Sequence, residues 1–134
     1  MSNKKHFQIS QQAVEKLAVR FGTPLLVLSL DEIKKNYKVL KKYMPRVKIH
    51  YAIKANPHPE ILRVMADMGS CFDVASDGEI RTLHDMGVDG SRLIYANPVK
   101  TGVGLEACRS CGVRKMSFDS ASEIDKKKTQ GPDA

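Results

Sequence analysis

The chain has 134 residues, 42% hydrophobic and 28% charged, with a net charge of +7 at neutral pH. That length carries one core but not two ordinary domains, and the composition is that of a soluble globular protein and not of a disordered or fibrous one. No apolar run approaches the ~20 residues of a membrane span, and "MSNKKHFQIS" lacks the apolar segment of a signal peptide, so no membrane partner and a cytoplasmic address are expected.

The stretch "SQQAVEKLAVRFG" predicts a helix capped by Ser10 and stopped by Gly22, and "TPLLVLSL" predicts a strand after it. A lysine-rich helix, "DEIKKNYKVLKKYM", comes next. Within it Ile33, Tyr37, Leu40 and Met44 share one apolar stripe, with Lys34, Lys35, Lys38, Lys41 and Lys42 mostly around it. That is the pattern of a solvated outer face. A basic patch is only a first clue, so nucleic acid is not the expected partner.

From "VKIHYAIKANP" onward a unit repeats. Three short helical runs, "VMADMGS", "LHDMGVD" and "ACRSCGV", each close on glycine, at Gly69, Gly87 and Gly112. Each is followed by a β-prone run: "CFDVAS", "RLIYANP" and "RKMSFDS". Four strands therefore succeed one another at intervals of roughly 20–25 residues, with helices long enough for the crossover that a parallel pair needs. Pro59 suits a first helical turn, and "SDGEIRTL" offers Ser76 or Asp77 as a cap with Glu79 close behind. Such units build either an open doubly wound sheet or a (β/α) barrel. The first repeated strand is followed by "KANPHP", and no GxGxxG or Walker sequence occurs, which favours the barrel. A closed eight-unit barrel takes ~250 residues, so only part of one is expected.

Cys108 and Cys111 in "CRSC" have the spacing of half a zinc site, but no second CxxC or CxxH supplies the other ligands. The segment reads as helix between the Gly-rich "TGVG" and Gly112, so these thiols and Cys71 are expected to be free, with no metal.

A barrel builds its active face at the C-terminal ends of its strands. Those ends carry Lys54 and Asn56, then Asp73 and Ser76, then Asn97, then Asp119 and Ser120. For Asn56, Asn97 and Ser120 ordinary turn chemistry is the stronger reading. Strand alternation puts Ala52 and Lys54 on one face and Tyr51 and Ile53 on the other. An amine held above a small side chain and partly desolvated becomes a nucleophile for carbonyls, which is Schiff-base chemistry. A snorkelling strand-end lysine is the alternative.

In order and spacing, "YAIKANP", "FDVASDGEI", "LIYANPVK" and "SFDSASEI" resemble the N-terminal half of the pyridoxal-phosphate-dependent ornithine/diaminopimelate/arginine decarboxylases. These are alanine-racemase-like barrels of fold type III. "RVMADMGSCFDVASDGEI" with "GVDGSRLIYANPVK" is similar to the bacterial lysine/ornithine decarboxylases. The resemblance runs from about Thr23 onward. It implies an α/β fold: the N-terminal half of a (β/α)8 TIM-like barrel in residues 31–134, led into by a helix and strand in residues 1–30. It also implies pyridoxal 5'-phosphate as cofactor, an amino-acid substrate, and a homodimer for the full-length protein. Lys54 matches the lysine that bonds to the cofactor. Asp73 matches the acidic residue near that bond and the ring, and Ala52 the small neighbour against the cofactor.

The implied activity is decarboxylation of ornithine or lysine to putrescine or cadaverine in polyamine biosynthesis. A racemase of the same barrel class is the enzymatic alternative, and a non-catalytic relative of the antizyme-inhibitor kind is the other. The family's ring-stacking histidine, phosphate-holding glycine-rich turn, acidic partner of the pyridine nitrogen and second domain have no counterpart in this sequence. A truncated chain, inactive alone, is therefore expected.

Overall fold

In the computed structural model, which describes residues 8–131, the first five α-helices begin where a side chain or a proline deals with free N–H groups. Helix α1 (Gln11–Phe21) starts at Ser10, whose hydroxyl accepts from Ala13 N–H, and α2 (Leu30–Tyr43) starts at Ser29, which accepts from Glu32 N–H. Helix α3 (Pro59–Asp67) has proline in its first turn, and α4 (Asp77–Asp85) is capped by Ser76 through Glu79 N–H. Thr101 caps α5 (Gly102–Ser110), and α6 (Ala121–Gln130) follows Ser120. The sequence reading identified the starts of α1, α3 and α4; it named no cap for α2 and did not identify α6.

The three glycine closures share one geometry. Gly69, Gly87 and Gly112 take φ of 78°, 80° and 72°, a region that favours glycine. The next residue then reaches back to an open carbonyl: Ser70 N–H to Met65, Val88 N–H to Leu83, Val113 N–H to Cys108. Each closure turns the chain into a strand on the same side of the sheet.

Those strands are β1 (His50–Ala52), β2 (Cys71–Val74), β3 (Leu93–Tyr95) and β4 (Lys115–Met116), all parallel and ordered as the chain runs. Register pairs Tyr51 with Phe72, Phe72 with Leu93, and Tyr95 with Met116. That row and Val74 share one face, where Phe72, Val74, Leu93 and Tyr95 are buried with Leu62, Ile80, Leu83 and Val113. Each such side chain contributes roughly 1.5–3 kcal/mol. The opposite face carries His50, Ala52, Cys71, Asp73, Ile94 and Lys115, half-buried or exposed. A parallel sheet in chain order with one covered face matches consecutive units of a TIM-like barrel.

Three expectations need correction. "TPLLVLSL" forms no strand: residues 22–29 are neither helix nor strand, and Leu26 is 92% exposed. A strand needs a neighbour for its backbone groups, and no described residue pairs with this one. Gly102 and Gly104 are no loop but the first turn of α5. A Cβ on Gly104 would stand 2.6 Å from the Tyr95 hydroxyl, so the glycine lets the helix settle on β3. Third, β1 ends at Ala52 and Ile53–Ala55 form a single 3-10 turn, so strand alternation does not carry Ala52 and Lys54 onto a common face.

Among the described residues no helix is long and apolar enough to cross a membrane. Cys108 and Cys111 are buried in the core, and burial pushes the Cys108 thiol up to about 12.

Among the glycines Gly90 has the least room for a side chain. A Cβ there would lie 2.1 Å from the Cys111 carbonyl oxygen and 2.5 Å from the Gly112 carbonyl carbon. Both neighbours are backbone and cannot rotate away. Gly90→Ala is therefore expected to destabilise the fold by about 1–3 kcal/mol, read as a lower urea midpoint with unchanged slope.

Candidate active site

Lys54 stands at the second position of the 3-10 turn that ends β1, and three contacts fix that turn. Ile53 is 2% exposed and anchors it in the core. Tyr51 Oη donates to the Asn56 carbonyl at 3.0 Å, tying the strand to the far side of the turn. Asn56 Oδ1 accepts from His58 N–H at 3.1 Å, the turn chemistry expected of Asn-Pro. Lys54 itself is exposed. The fold thus orders the backbone beneath the amine and leaves the amine open.

Asp73 lies on the adjacent strand, directly across from Ala52 in the parallel register and across from Ile94 on the other side. It is half-buried on the open face. Neither Lys54 nor Asp73 has an ion-pair partner among the described residues. Asn97 follows β3 and Asp119 follows β4, so all four strand-end groups occupy one end of the sheet. Asn97 serves its own turn, accepting from Val99 N–H at 3.3 Å, and donates through Nδ2 to the Ala75 carbonyl at 3.4 Å. Asp119 and Ser120 are exposed, and the Ser120 hydroxyl meets that of Ser122. The structure brings Lys54 and Asp73 to neighbouring strand ends and leaves Asn56 and Ser120 to turn roles.

The same end holds a buried charge cluster that sequence reasoning missed. Lys100 is 2% exposed, and its Nζ lies 3.6 Å from Glu123 Oε2. Glu123 also accepts from Lys100 N–H at 3.1 Å and from Lys126 Nζ, and Lys126 donates to the Lys100 carbonyl at 2.9 Å. Ser120 to Glu123 spells a capping box, but the glutamate turns inward to the lysines and Ser120 caps no N–H. The available signal was a lysine wedged between "NPV" and a helix cap.

The Lys126 hydrogen bond, then that of Lys100 N–H, hold the Glu123 carboxyl below its ordinary value of 4.5. A carboxylate with a depressed folded pKa stabilises the fold above its ordinary value. That stabilisation is lost as pH falls past 4.5 through the folded value. Glu123→Gln is therefore expected to flatten the acid limb of a stability-against-pH curve, measured as urea midpoints from neutral to acid pH.

This geometry provides an open amine at one strand end, a carboxylate on the next strand, and Ala52 facing that carboxylate across the register. Over residues 30–134 the sequence matches the family described as "Pyridoxal-dependent decarboxylase, pyridoxal binding domain". The chain belongs to this family. It is 52% identical over 122 residues to the lysine/ornithine decarboxylase of Selenomonas ruminantium, covering 91% of the chain and 31% of that relative. A crystal structure of lysine decarboxylase from Selenomonas ruminantium superposes with a TM-score of 0.92 at 51% identity, over 97% of this chain and 34% of that one. A structure of SrLDC in complex with PLP and cadaverine matches with a TM-score of 0.89 at 51% identity, over 94% of this chain and 33% of that one. The chain thus spans about a third of the length of the relatives it matches.

The residues present fit the reactive half of pyridoxal phosphate. An aldehyde calls for an amine, and Lys54 is exposed with no ion-pair partner among the described residues. The nitrogen so joined would call for negative charge and the ring for space, and the adjacent strand carries Asp73 across from the small Ala52. For the phosphate, several helix N-termini at this end have an N–H taken by their own caps, His58, Ser76 and Thr101. Those donors are not free for an anion.

Proposed function

We propose that these residues form the lysine-bearing wall of a pyridoxal-phosphate-dependent decarboxylase acting on lysine or ornithine. The observation that carries this reading is the parallel register that sets Asp73 across from Ala52, two residues before Lys54. In this reading Lys54 would be the residue that holds the cofactor at its aldehyde, and its amine would carry a proton to or from the reacting carbon. Asp73 holds the joined nitrogen protonated by its negative charge. Ala52 leaves room for the ring. The bound cofactor supplies the electron sink that accepts the pair left behind by carbon dioxide.

The same proposal includes a role in polyamine formation, a homodimer for the complete protein and a cytoplasmic address. A basic substrate is supported by the Selenomonas relative, a lysine/ornithine decarboxylase, and by the cadaverine in the SrLDC complex. Borohydride trapping of pyridoxal phosphate on a complete protein containing this sequence, followed by peptide mapping, tests the central step. The label is expected on Lys54. Label spread evenly over the exposed lysines of α2 and α6 would overturn the assignment, and absence of any specific label would favour a non-catalytic relative.

A further inference from the structure

Beneath the rim of the site, four oxygens converge on one ammonium. Lys100 Nζ donates to the carbonyls of Pro98 at 2.6 Å, Asn97 at 3.2 Å and Ser117, with Glu123 Oε2 at 3.6 Å, and its side chain is 1% exposed. An ammonium has three N–H donors, and three carbonyls take them. Asn97 and Pro98 follow β3, whereas Ser117 follows β4. The Asn97 amide then donates to the carbonyl of Ala75, which follows β2. One cation and one amide thus join the C-terminal ends of three adjacent strands, the middle of a rim that also carries Asp73.

Burying a lysine with a glutamate is a poor route to stability, because an apolar pair of similar volume often does as well or better. What the ammonium gives is direction: three carbonyls from two strand ends are fixed around a single atom, and Glu123 balances the charge. Lys126, bonded to both Glu123 and the Lys100 carbonyl, brings α6 into the same arrangement. Asp73 lies two residues before Ala75, so whatever fixes the end of β2 fixes the carboxylate.

We propose that Lys100 is a positioning residue of the site, acting through Asn97 and the ends of β2, β3 and β4 to hold Asp73 in place relative to Lys54. This rests on the reading that Lys54 takes the cofactor. The test uses the complete protein containing this sequence, unaltered and as Lys100→Met, Asn97→Ala and the surface control Lys128→Met. One readout is amide hydrogen exchange at the C-terminal ends of β2, β3 and β4. The other is the share of borohydride-trapped pyridoxal phosphate found on Lys54.

Lys100→Met is expected to speed exchange at all three strand ends and to lower the Lys54 share about tenfold, inside the ~10²-fold that a misplacement of ~1 Å can cost. Asn97→Ala is expected to do both with faster exchange confined to β2 and β3, and Lys128→Met neither. An unchanged Lys54 share in a folded Lys100→Met protein overturns the proposal. If that variant does not fold, an unchanged share in Asn97→Ala does so. Should the unaltered protein label its lysines evenly, the reading of Lys54 fails and exchange alone judges the clamp. Unchanged protection at the end of β2 then overturns it, and lost protection supports it.

Discussion

Replacing Lys54 with alanine is expected to lower carbon dioxide release from lysine and ornithine on the order of 10³-fold in a complete protein containing this sequence. Two functions are lost together. In the proposed reading the amine is the group that holds the cofactor at its aldehyde, so its removal takes away the covalent anchor. In that reading the same nitrogen also carries a proton, and positioned proton transfer typically contributes 10²–10⁴-fold. Lys54→Arg separates the two from simple loss of charge. Arginine keeps the charge but stays protonated and cannot serve as the nucleophile, so it is expected to fail nearly as badly as alanine. Because Lys54 is exposed and makes no ion pair among the described residues, neither change disturbs the core. The unfolding free energy from urea titration should stay within about 0.5 kcal/mol of the original. Decarboxylation by Lys54→Ala at the unaltered rate would remove Lys54 from the mechanism.

That the sheet could be read in advance follows from local chemistry. The three glycine closures, at Gly69, Gly87 and Gly112, are dictated by backbone conformation within a few residues, and a β-prone run follows each of them. The order of those strands followed from short crossovers of one hand. The placement of Lys54 and Asp73 was legible in the same way, because they end successive units and a parallel sheet in chain order must bring such ends together. What the sequence concealed depends on distant partners. "TPLLVLSL" has the residues of a strand but no neighbour to pair with, and strand propensity mostly reflects fit to such neighbours. The break after Ala52 arises because Ile53 turns into the core while Tyr51 Oη holds the Asn56 carbonyl. Lys100 and Glu123 are 23 residues apart, and no local pattern announces that a lysine will be buried among carbonyls from two strand ends.

The 134-residue chain by itself is expected to show no meaningful turnover of lysine or ornithine, even with saturating pyridoxal phosphate. Lys54 is exposed and the face bearing Asp73 is open among the described residues, so aldehyde and amine can meet there. Holding the product of that meeting still is another matter. The phosphate carries about two negative charges and needs several directed donors, yet at α3, α4 and α5 an N–H is already satisfied by His58, Ser76 and Thr101. No described acidic side chain besides Asp73 sits on the open face to partner the pyridine nitrogen. A nitrogen left unprotonated draws less charge from the reacting carbon. Water reaches the open face as well, weakening every electrostatic contact that a closed site would strengthen. Positioning alone accounts for ~7–11 kcal/mol of an enzymatic barrier, and four strands with one uncovered face supply little of it. Release of labelled carbon dioxide from purified chain decides the matter, and turnover near ~1 per second, within the ordinary enzyme range, would mean that these residues complete a site on their own or by pairing with one another.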